Sequence, residues 1–166
     1  MEDKEIIVYE ILDKLEIDYK VSRHQAMFTM ADAALEGYYQ EGLNMKNLVL
    51  KDKKTKTYYM VVIEDGNRLD LKRFKAVTGW SNKVSFVNDE ELFELLGIHQ
   101  GSCSIFNLIN DIENKVVLVF EKTIGEASLD EQMSFHPNIN TATVSLKKKD
   151  VIKFLEWKGC NVIWEK

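Results

Sequence analysis

Cysteine, proline and histidine are scarce in this chain of 166 residues, and their scarcity excludes several classes of protein. The two cysteines, Cys103 and Cys160, have no Cys-x-x-Cys spacing and provide neither a disulfide framework nor a zinc site. The three histidines, His24, His99 and His136, lie far apart and lack metal-ligand spacing. We therefore expect a protein that binds no metal.

Long apolar runs are also absent. No run approaches the roughly 20 residues that a helix needs to cross a bilayer, and the start, Met1-Glu2-Asp3-Lys4-Glu5, is too charged for a signal peptide. Hydrophobic residues make up 45% of the chain and charged residues 30%, as in ordinary globular proteins. We expect a cytoplasmic protein with no membrane partner, folded as a single domain over residues 1–166.

Several familiar catalytic motifs are missing as well. The sequence contains no Gly-x-Ser-x-Gly elbow, Walker loop, glycine-rich dinucleotide fingerprint or His-Glu-x-x-His. Cys103 and His136 could form a thiolate pair, but no neighbouring residue favours the thiolate, so a structural cysteine is the simpler interpretation. No cofactor is expected.

The hydrophobic pattern mixes helices and strands without regular βαβ alternation. Amphipathic helices are predicted over residues 3–16 and 147–158, a short one from Thr29 to Gly37, and two more after the N-caps Asp70 and Asn88. Strands are predicted at residues 19–23, 47–50, 58–63, 83–87, 116–120, 141–146 and 161–164. This pattern favours an α+β fold, with a mixed, partly closed β-sheet or barrel surrounded by helices.

Positive charge is concentrated in the middle of an acidic chain. The net charge is −5, yet residues 46–83 carry ten Lys or Arg against four acids, which leaves −11 for the remainder. Such a segment suits one phosphate-rich end of a nucleic acid, although a lysine-rich hairpin tip that keeps an edge strand soluble explains it equally well. The candidate nucleic-acid contacts are Lys51, Lys53, Lys54, Lys72 and Arg73.

The only proline, Pro137, follows a histidine. Proline fixes its own φ and restricts the residue before it, so His136 lies in a stiff, extended segment from which it can be aimed at a ligand. Asn140 and Thr141 add hydrogen-bonding side chains just beyond. The alternative is a turn in which the imidazole merely binds a backbone carbonyl.

Three segments offer cations, backbone amides and neutral donors without a strong nucleophile: Lys46-Asn47, Gly101-Ser102-Cys103-Ser104, and His136 with Asn140-Thr141. This combination suits a substrate that brings its own nucleophile or uses a positioned water. The protein would then supply orientation and stabilise the developing oxyanion.

Four longer motifs contain these segments in one order along the chain: His24-x-x-x-Phe28-Thr29, Met45-Lys46-Asn47-Leu48-Val49-Leu50-Lys51-Asp52, Gly101-Ser102-Cys103-Ser104-Ile105-Phe106-Asn107-Leu108-Ile109-Asn110-Asp111, and Phe135-His136-Pro137-x-x-Asn140-Thr141-Ala142-Thr143-Val144. Together they resemble the YbaK and prolyl-tRNA synthetase editing-domain family, and within it the free-standing PrdX (ProX) type of aminoacyl-tRNA deacylase. The resemblance runs from about His24 to the C-terminus.

This resemblance implies a mixed sheet with surrounding helices, and hydrolysis of the ester that joins a wrong amino acid, chiefly alanine, to proline tRNA. Lys46 and Asn47 match the family's strand lysine and its neighbour, and His136 matches its pocket histidine. The segment from Gly101 to Ser104 matches its glycine-led loop, whose amides face the scissile carbonyl. Mischarged tRNA is the implied partner, and prolyl-tRNA synthetase is a second candidate.

The size of the bound amino acid would be selected by a pocket wall. A pocket rejects a side chain that is too large more sharply than one that is slightly too small. The candidate wall residues are Phe28, Met30, Ala33 and Ala34, and ordinary core packing is their alternative interpretation.

One residue departs from the family pattern. The family loop commonly reads Gly-x-x-x-Pro, whereas position 105 is isoleucine, whose freer φ predicts a less preorganised loop. Three alternatives therefore stay open: a deacylase for cysteine or serine, a non-catalytic module that binds aminoacyl-tRNA or an amino acid, and a hydrolase that uses Cys103. Since the ribose hydroxyl beside the ester removes the need for a protein base, His136 is expected to shape the pocket rather than transfer a proton.

Overall fold

The structure, a computed structural model, describes residues 1–26 and 42–166. Within these ranges eight strands form one sheet: β1 (Tyr19–Arg23), β2 (Leu43–Asp52), β3 (Tyr58–Glu64), β4 (Val84–Phe86), β5 (Val116–Phe120), β6 (Gln132–Phe135), β7 (Ala142–Lys147) and β8 (Asn161–Trp164). The helices are α1 (Asp3–Lys14), α2 (Leu71–Thr78), α3 (Asp89–Leu96), a 3-10 helix (Ile105–Asn110), α4 (Lys122–Gly125) and α5 (Lys148–Lys158).

The sheet is mixed, as the sequence predicts. Its strand order is β1-β7-β6-β2-β3-β5-β8, and β4 pairs with β2 beside this path. Parallel pairing joins β2 to β6, β3 to β5 and β5 to β8, and the remaining pairs are antiparallel. No helix in residues 1–26 and 42–166 is long and apolar enough to cross a bilayer.

Strand β2 belongs to both halves of this sheet. Along one edge it pairs with β3 over most of its length. Along the other edge its first two residues pair with β6 and its last three with β4. Among the described residues, residues 45–48 therefore pair with no strand on that edge, and Lys46 belongs to this stretch.

Alternating side chains give the sheet a core on each face. The larger core packs α1, α3, α5 and the 3-10 helix against one face, through residues such as Leu12, Leu96, Phe106 and Phe154. The smaller core covers part of the other face with Phe74 of α2 and with Trp80. Along β2, Met45 and Val49 face the larger core, whereas Leu48 and Leu50 face the smaller one.

Local sequence signals explain most of the boundaries. The Asp70 carboxylate accepts a hydrogen bond from the Arg73 amide at the start of α2, and the Asn88 side chain accepts one from the Glu91 amide at the start of α3. Gly159 ends α5 in the left-handed conformation. The predicted basic hairpin is confirmed as β2 and β3, whereas β6, α4 and the 3-10 helix have no counterpart in the predictions.

Candidate functional site

The imidazoles of His24 and His136 lie close together at the start of β7. The His24 amide donates to the Thr141 carbonyl at 3.1 Å, and its Nε2 lies 2.8 Å from the Thr143 hydroxyl. His136 Nδ1 donates to the Ala142 carbonyl at 2.9 Å. As a result the two ring centroids are 5.9 Å apart, with their planes inclined by 56°.

The contact with Ala142 fixes which nitrogen of His136 carries the proton. A carbonyl oxygen can only accept, so Nδ1 is protonated and the neutral ring keeps its lone pair on Nε2. Burial lowers the pKa of His136, and His24 acts in the same direction while the Ala142 carbonyl opposes it. His136 is therefore a neutral hydrogen-bond acceptor near pH 7.

Lys46 lies on the same side of the sheet as these imidazoles. The register of β2 with β6 sets Asn44 opposite Ser134, and alternation then places Lys46 and His136 on that face as well. We call the part of this side around the two imidazoles the polar face and define it by His24, Lys46, His136 and Thr143. Lys46 is exposed, and it has no ion-pair partner among the described residues.

Asn47 lies on the opposite side of β2. Its neighbours in alternation, Met45 and Val49, belong to the larger core. Its Oδ1 is buried and lacks a hydrogen-bond partner among the described residues. The structure thus separates Asn47 from Lys46 by the thickness of the sheet, although the two are adjacent in sequence.

The glycine-led loop is tied to the turn after β6. Asn107, fully buried, accepts from the Ser104 amide at 2.6 Å through its Oδ1. Its Nδ2 donates to the Ser102 carbonyl at 3.3 Å and to Asn138 Oδ1 at 2.7 Å. Asn138 is two residues beyond His136, so one amide side chain joins the loop to the histidine segment.

Two loop amides are available to a ligand. The Ser102 amide donates to the His99 carbonyl at 3.2 Å, and the Ser104 amide is used by Asn107. The amides of Gly101 and Cys103 have no acceptor within residues 1–26 and 42–166. These are the N–H groups that could face a developing oxyanion.

Isoleucine fits position 105 for a structural reason. Ile105 is the first residue of the 3-10 helix, where a proline would fix φ and would lack only an N–H that the helix does not use. Here Ser104 caps that helix instead, because its hydroxyl accepts from the Phe106 amide at 3.1 Å and Asn107 bonds back to the Ser104 amide. The capping box therefore orders the loop that proline would otherwise stiffen.

Comparison with known proteins identifies this arrangement. The family model described as "Aminoacyl-tRNA editing domain" matches residues 24–154, which is more than half of the chain. The chain belongs to the aminoacyl-tRNA editing domain family. Membership gives the enzyme class, an aminoacyl-tRNA deacylase, and it confirms the resemblance seen in the four sequence motifs.

Relatives of this editing domain cover nearly the whole chain. The prolyl-tRNA editing protein ProX of Acetoanaerobium sticklandii is 31% identical over 159 residues, 96% of this chain and 94% of its own. Prolyl-tRNA synthetase associated domain-containing protein 1 of Mus musculus is 29% identical over 149 residues, 89% of this chain and 87% of its own. A solved structure described as a trans-editing enzyme for prolyl tRNA synthetase has a TM-score of 0.69 at 18% identity, covers 98% of this chain and 96% of its own, and confirms the fold.

A small pocket opens beside the loop of the editing domain. Its volume is about 110 Å³, and it brings Ser102 together with Asn140, two of the predicted site residues. The lining residues are Glu2, Lys4, Ile98, His99, Ser102, Asn138, Ile139 and Asn140. Thr141, in turn, binds the backbone of His24.

Cys103 is placed as a structural residue. Burial raises the pKa of its thiol to about 12, and its side chain packs against the larger core. At neutral pH it is therefore a thiol rather than a nucleophilic thiolate. No group of three His, Cys, Asp or Glu in the described ranges could hold a metal ion.

The basic residues predicted to contact nucleic acid fall into two sets. Lys53, Lys54 and Lys72 are exposed. Lys51 forms an ion pair of 2.5 Å with Glu91, and Arg73 pairs with the buried Glu165. Because these two cations already have carboxylate partners, they contribute less free positive charge than the first three.

The predicted pocket wall lies outside the described residues. Phe28, Met30, Ala33 and Ala34 fall within residues 27–41, as does the predicted helix from Thr29 to Gly37. Their assignment remains a prediction.

Replacing Asn107 tests the link between loop and turn. We expect Asn107→Ala to lower kcat/KM for deacylation about tenfold and the free energy of unfolding by about 3 kcal/mol, because three hydrogen bonds are lost in a buried place. Asn107→Asp keeps the acceptor for the Ser104 amide and loses both donors. Urea unfolding and single-turnover assays measure the two effects, and unchanged kinetics in both variants would contradict the proposed link.

Proposed function

We propose that this protein is a trans-editing deacylase that hydrolyses the ester of mischarged proline tRNA, with alanine as the amino acid removed. The observation that carries the proposal is the polar face, where an exposed lysine and a neutral imidazole lie on one side of the sheet. The prolyl-tRNA editing protein among its relatives supports the choice of tRNA.

Lys46 would bind the acceptor end of the tRNA. Its ammonium is exposed, and no carboxylate among the described residues competes for it. A phosphate or the terminal ribose supplies the acceptor oxygens that a lysine binds. The ester would then lie between Lys46 and the turn after β6.

His136 would accept a hydrogen bond from the attacking group. Its Nε2 carries a lone pair and has no partner among the described residues, while Nδ1 is anchored on the Ala142 carbonyl. The attacking group is a water or the ribose hydroxyl beside the ester. This role goes beyond the expectation from the sequence, in which His136 only shapes the pocket.

The glycine-led loop would stabilise the oxyanion. The amides of Gly101 and Cys103 are the free donors, and Asn107 holds their backbone in place. Removing one such donor in an oxyanion hole costs about 10²–10³ in kcat in a well-studied protease. The proposal needs no side-chain nucleophile, which agrees with the raised pKa of Cys103.

Exposed lysines at the hairpin tip would extend the tRNA contact. Lys53 and Lys54 follow β2 directly, and at about 3.4 Å per residue they lie at most roughly 24–27 Å from Lys46. Lys72 begins a second basic patch on α2. We place the reaction in the cytoplasm, and prolyl-tRNA synthetase is a further partner under this proposal.

A deacylation assay on proline tRNA charged with alanine, proline, cysteine or serine tests the function. We expect rapid release of alanine and sparing of proline. Preferential release of cysteine or serine would move the specificity to that amino acid. Tight binding of Ala-tRNA without release of alanine would contradict catalysis and support a binding module.

A further inference from the structure

Three consecutive residues at the start of β7 hold both imidazoles of the polar face. Thr141 binds the His24 backbone through its carbonyl, Ala142 binds the His136 ring, and the Thr143 hydroxyl binds the His24 ring. His24 follows β1, which pairs antiparallel with β7, so this contact continues the β1–β7 pairing. The relative position of the two rings is therefore set by strand pairing.

The His24 ring is held at both nitrogens. Its Nδ1 lies 2.8 Å from the carbonyl of Gln25, which can only accept, so Nδ1 carries the proton. In the neutral ring Nε2 must then accept from the Thr143 hydroxyl, at 2.8 Å. If the His24 ring rotated or changed its tautomer, it would lose at least one of these two hydrogen bonds.

Among the described residues, His136 by contrast has a single hydrogen-bond anchor. This bond through Nδ1 fixes its tautomer, but one bond alone does not fix the direction of the ring. The His24 ring packs against it, with the two ring centroids 5.9 Å apart and the ring planes inclined by 56°.

We propose that His24 is a positioning residue for His136, and that the Thr143 hydroxyl holds His24 in this role. The inference rests on the proposed function, since His136 matters for catalysis only if it faces the ester. His24 itself contacts no substrate. It limits the directions in which the lone pair of His136 Nε2 can point.

The hydroxyl of Thr143 offers the sharpest test. Thr143→Val keeps the shape and loses the hydrogen bond to His24, whereas Thr143→Ser keeps the bond. Since misplacing a reacting group by 1 Å can cost about 10²-fold in rate, we expect Thr143→Val to lower kcat about tenfold with little change in KM. Thr143→Ser should restore most of the rate.

Ser145 provides a matched control, because it lies on the same strand and the same side of the sheet but outside the polar face. Its hydroxyl lies 2.8 Å from that of Ser134, away from the two imidazoles. Ser145→Ala therefore removes a buried hydroxyl hydrogen bond from β7 without touching His24, and its kcat should stay within about twofold of the parent. His24→Phe, which keeps a ring and loses both hydrogen bonds, should match Thr143→Val, and the double variant should be no worse than either.

Nitrogen-15 NMR of the His136 ring gives a readout independent of activity. In the parent and in Ser145→Ala we expect one sharp Nδ1–H tautomer and a titration midpoint below 6.5. In Thr143→Val the Nε2 signal should broaden or shift, and in His24→Phe the midpoint should rise, because His24 lowers the pKa of His136. Two lysines, Lys46 on β2 and Lys20 on β1, lie on the same side of the sheet as His136, and both remain unchanged in these variants.

The two readouts separate the inference from the function on which it rests. If the parent protein releases no amino acid from any charged tRNA, the proposed function fails, and the NMR comparison still decides whether His24 restrains His136. If Thr143→Val and His24→Phe leave the His136 signals and titration as they are in Ser145→Ala, the positioning role is wrong, whatever the activity.

Discussion

Lys46→Ala is expected to lower kcat/KM for Ala-tRNA deacylation by about 100-fold. A hydrogen bond to a charged group contributes about 1.5–3 kcal/mol, which corresponds to roughly 10- to 150-fold in rate or affinity. The side chain is exposed on β2 and has no ion-pair partner among the described residues, so the fold loses little. We expect the free energy of unfolding to change by no more than about 0.5 kcal/mol.

Two further lysine variants separate charge from position. Lys46→Arg keeps the cation and should retain part of the activity, although a planar guanidinium does not replace an ammonium at a single contact. Lys153→Ala removes an exposed lysine from α5 and should behave as the parent. Single-turnover assays with charged tRNA measure all three, and near-normal turnover of Lys46→Ala would remove Lys46 from the mechanism.

His136→Asn is expected to lower kcat by about 100-fold, at the lower end of what a positioned proton acceptor contributes. The asparagine amide can take the place of Nδ1–H toward the Ala142 carbonyl, but nothing then replaces the lone pair of Nε2. His136→Gln reaches the Nε2 position and should retain more activity than His136→Asn. If His136→Asn were more active than His136→Gln, the hydrogen bond to the Ala142 carbonyl would matter more than the acceptor at the Nε2 position.

The rate of Ala-tRNA deacylation should fall at acid pH, because His136 loses its acceptor when it is protonated. Only the neutral ring accepts a hydrogen bond at Nε2, and burial lowers the pKa of His136 below its usual 6.5. Activity should therefore be maintained as the pH falls through 6.5 and should decline only below it. A decline in kcat/KM that begins above pH 6.5 in the parent, or an unchanged acid limb in His136→Gln, would contradict the role of this imidazole.

The sequence predicted the helices and strands whose signals lie within the element itself. The strands of the basic hairpin, the capped starts of α2 and α3, and the glycine end of α5 all follow from residues close to one another in sequence. Strand β6 is different, because two of its four residues pair with β2, some 90 positions earlier in the chain, and all four pair with β7. A run as short as Gln132–Phe135 has too little local preference to reveal such a pairing.

The sequence proposed members of the candidate site but not their arrangement. The resemblance named Lys46, His136 and the glycine-led loop, but it gave no role to His24, whose contacts with Thr143 and His136 depend on the pairing of β1 with β7. The separation of Lys46 from Asn47 could have been foreseen from the alternation along a strand. The bond between Asn107 and Asn138 could not, because it joins segments that are 31 positions apart in the chain.

That separation makes the chemistry depend on the accuracy of folding. A slip of β2 by one residue against β3 would exchange its two faces, so that Asn47 would replace Lys46 beside the imidazoles and the lysine charge would enter the larger core. Such a misfolded chain would have no lysine on the polar face, and the buried charge would lower its stability. Binding of the acceptor end would thus depend on the formation of one register of β2 against β3 during folding.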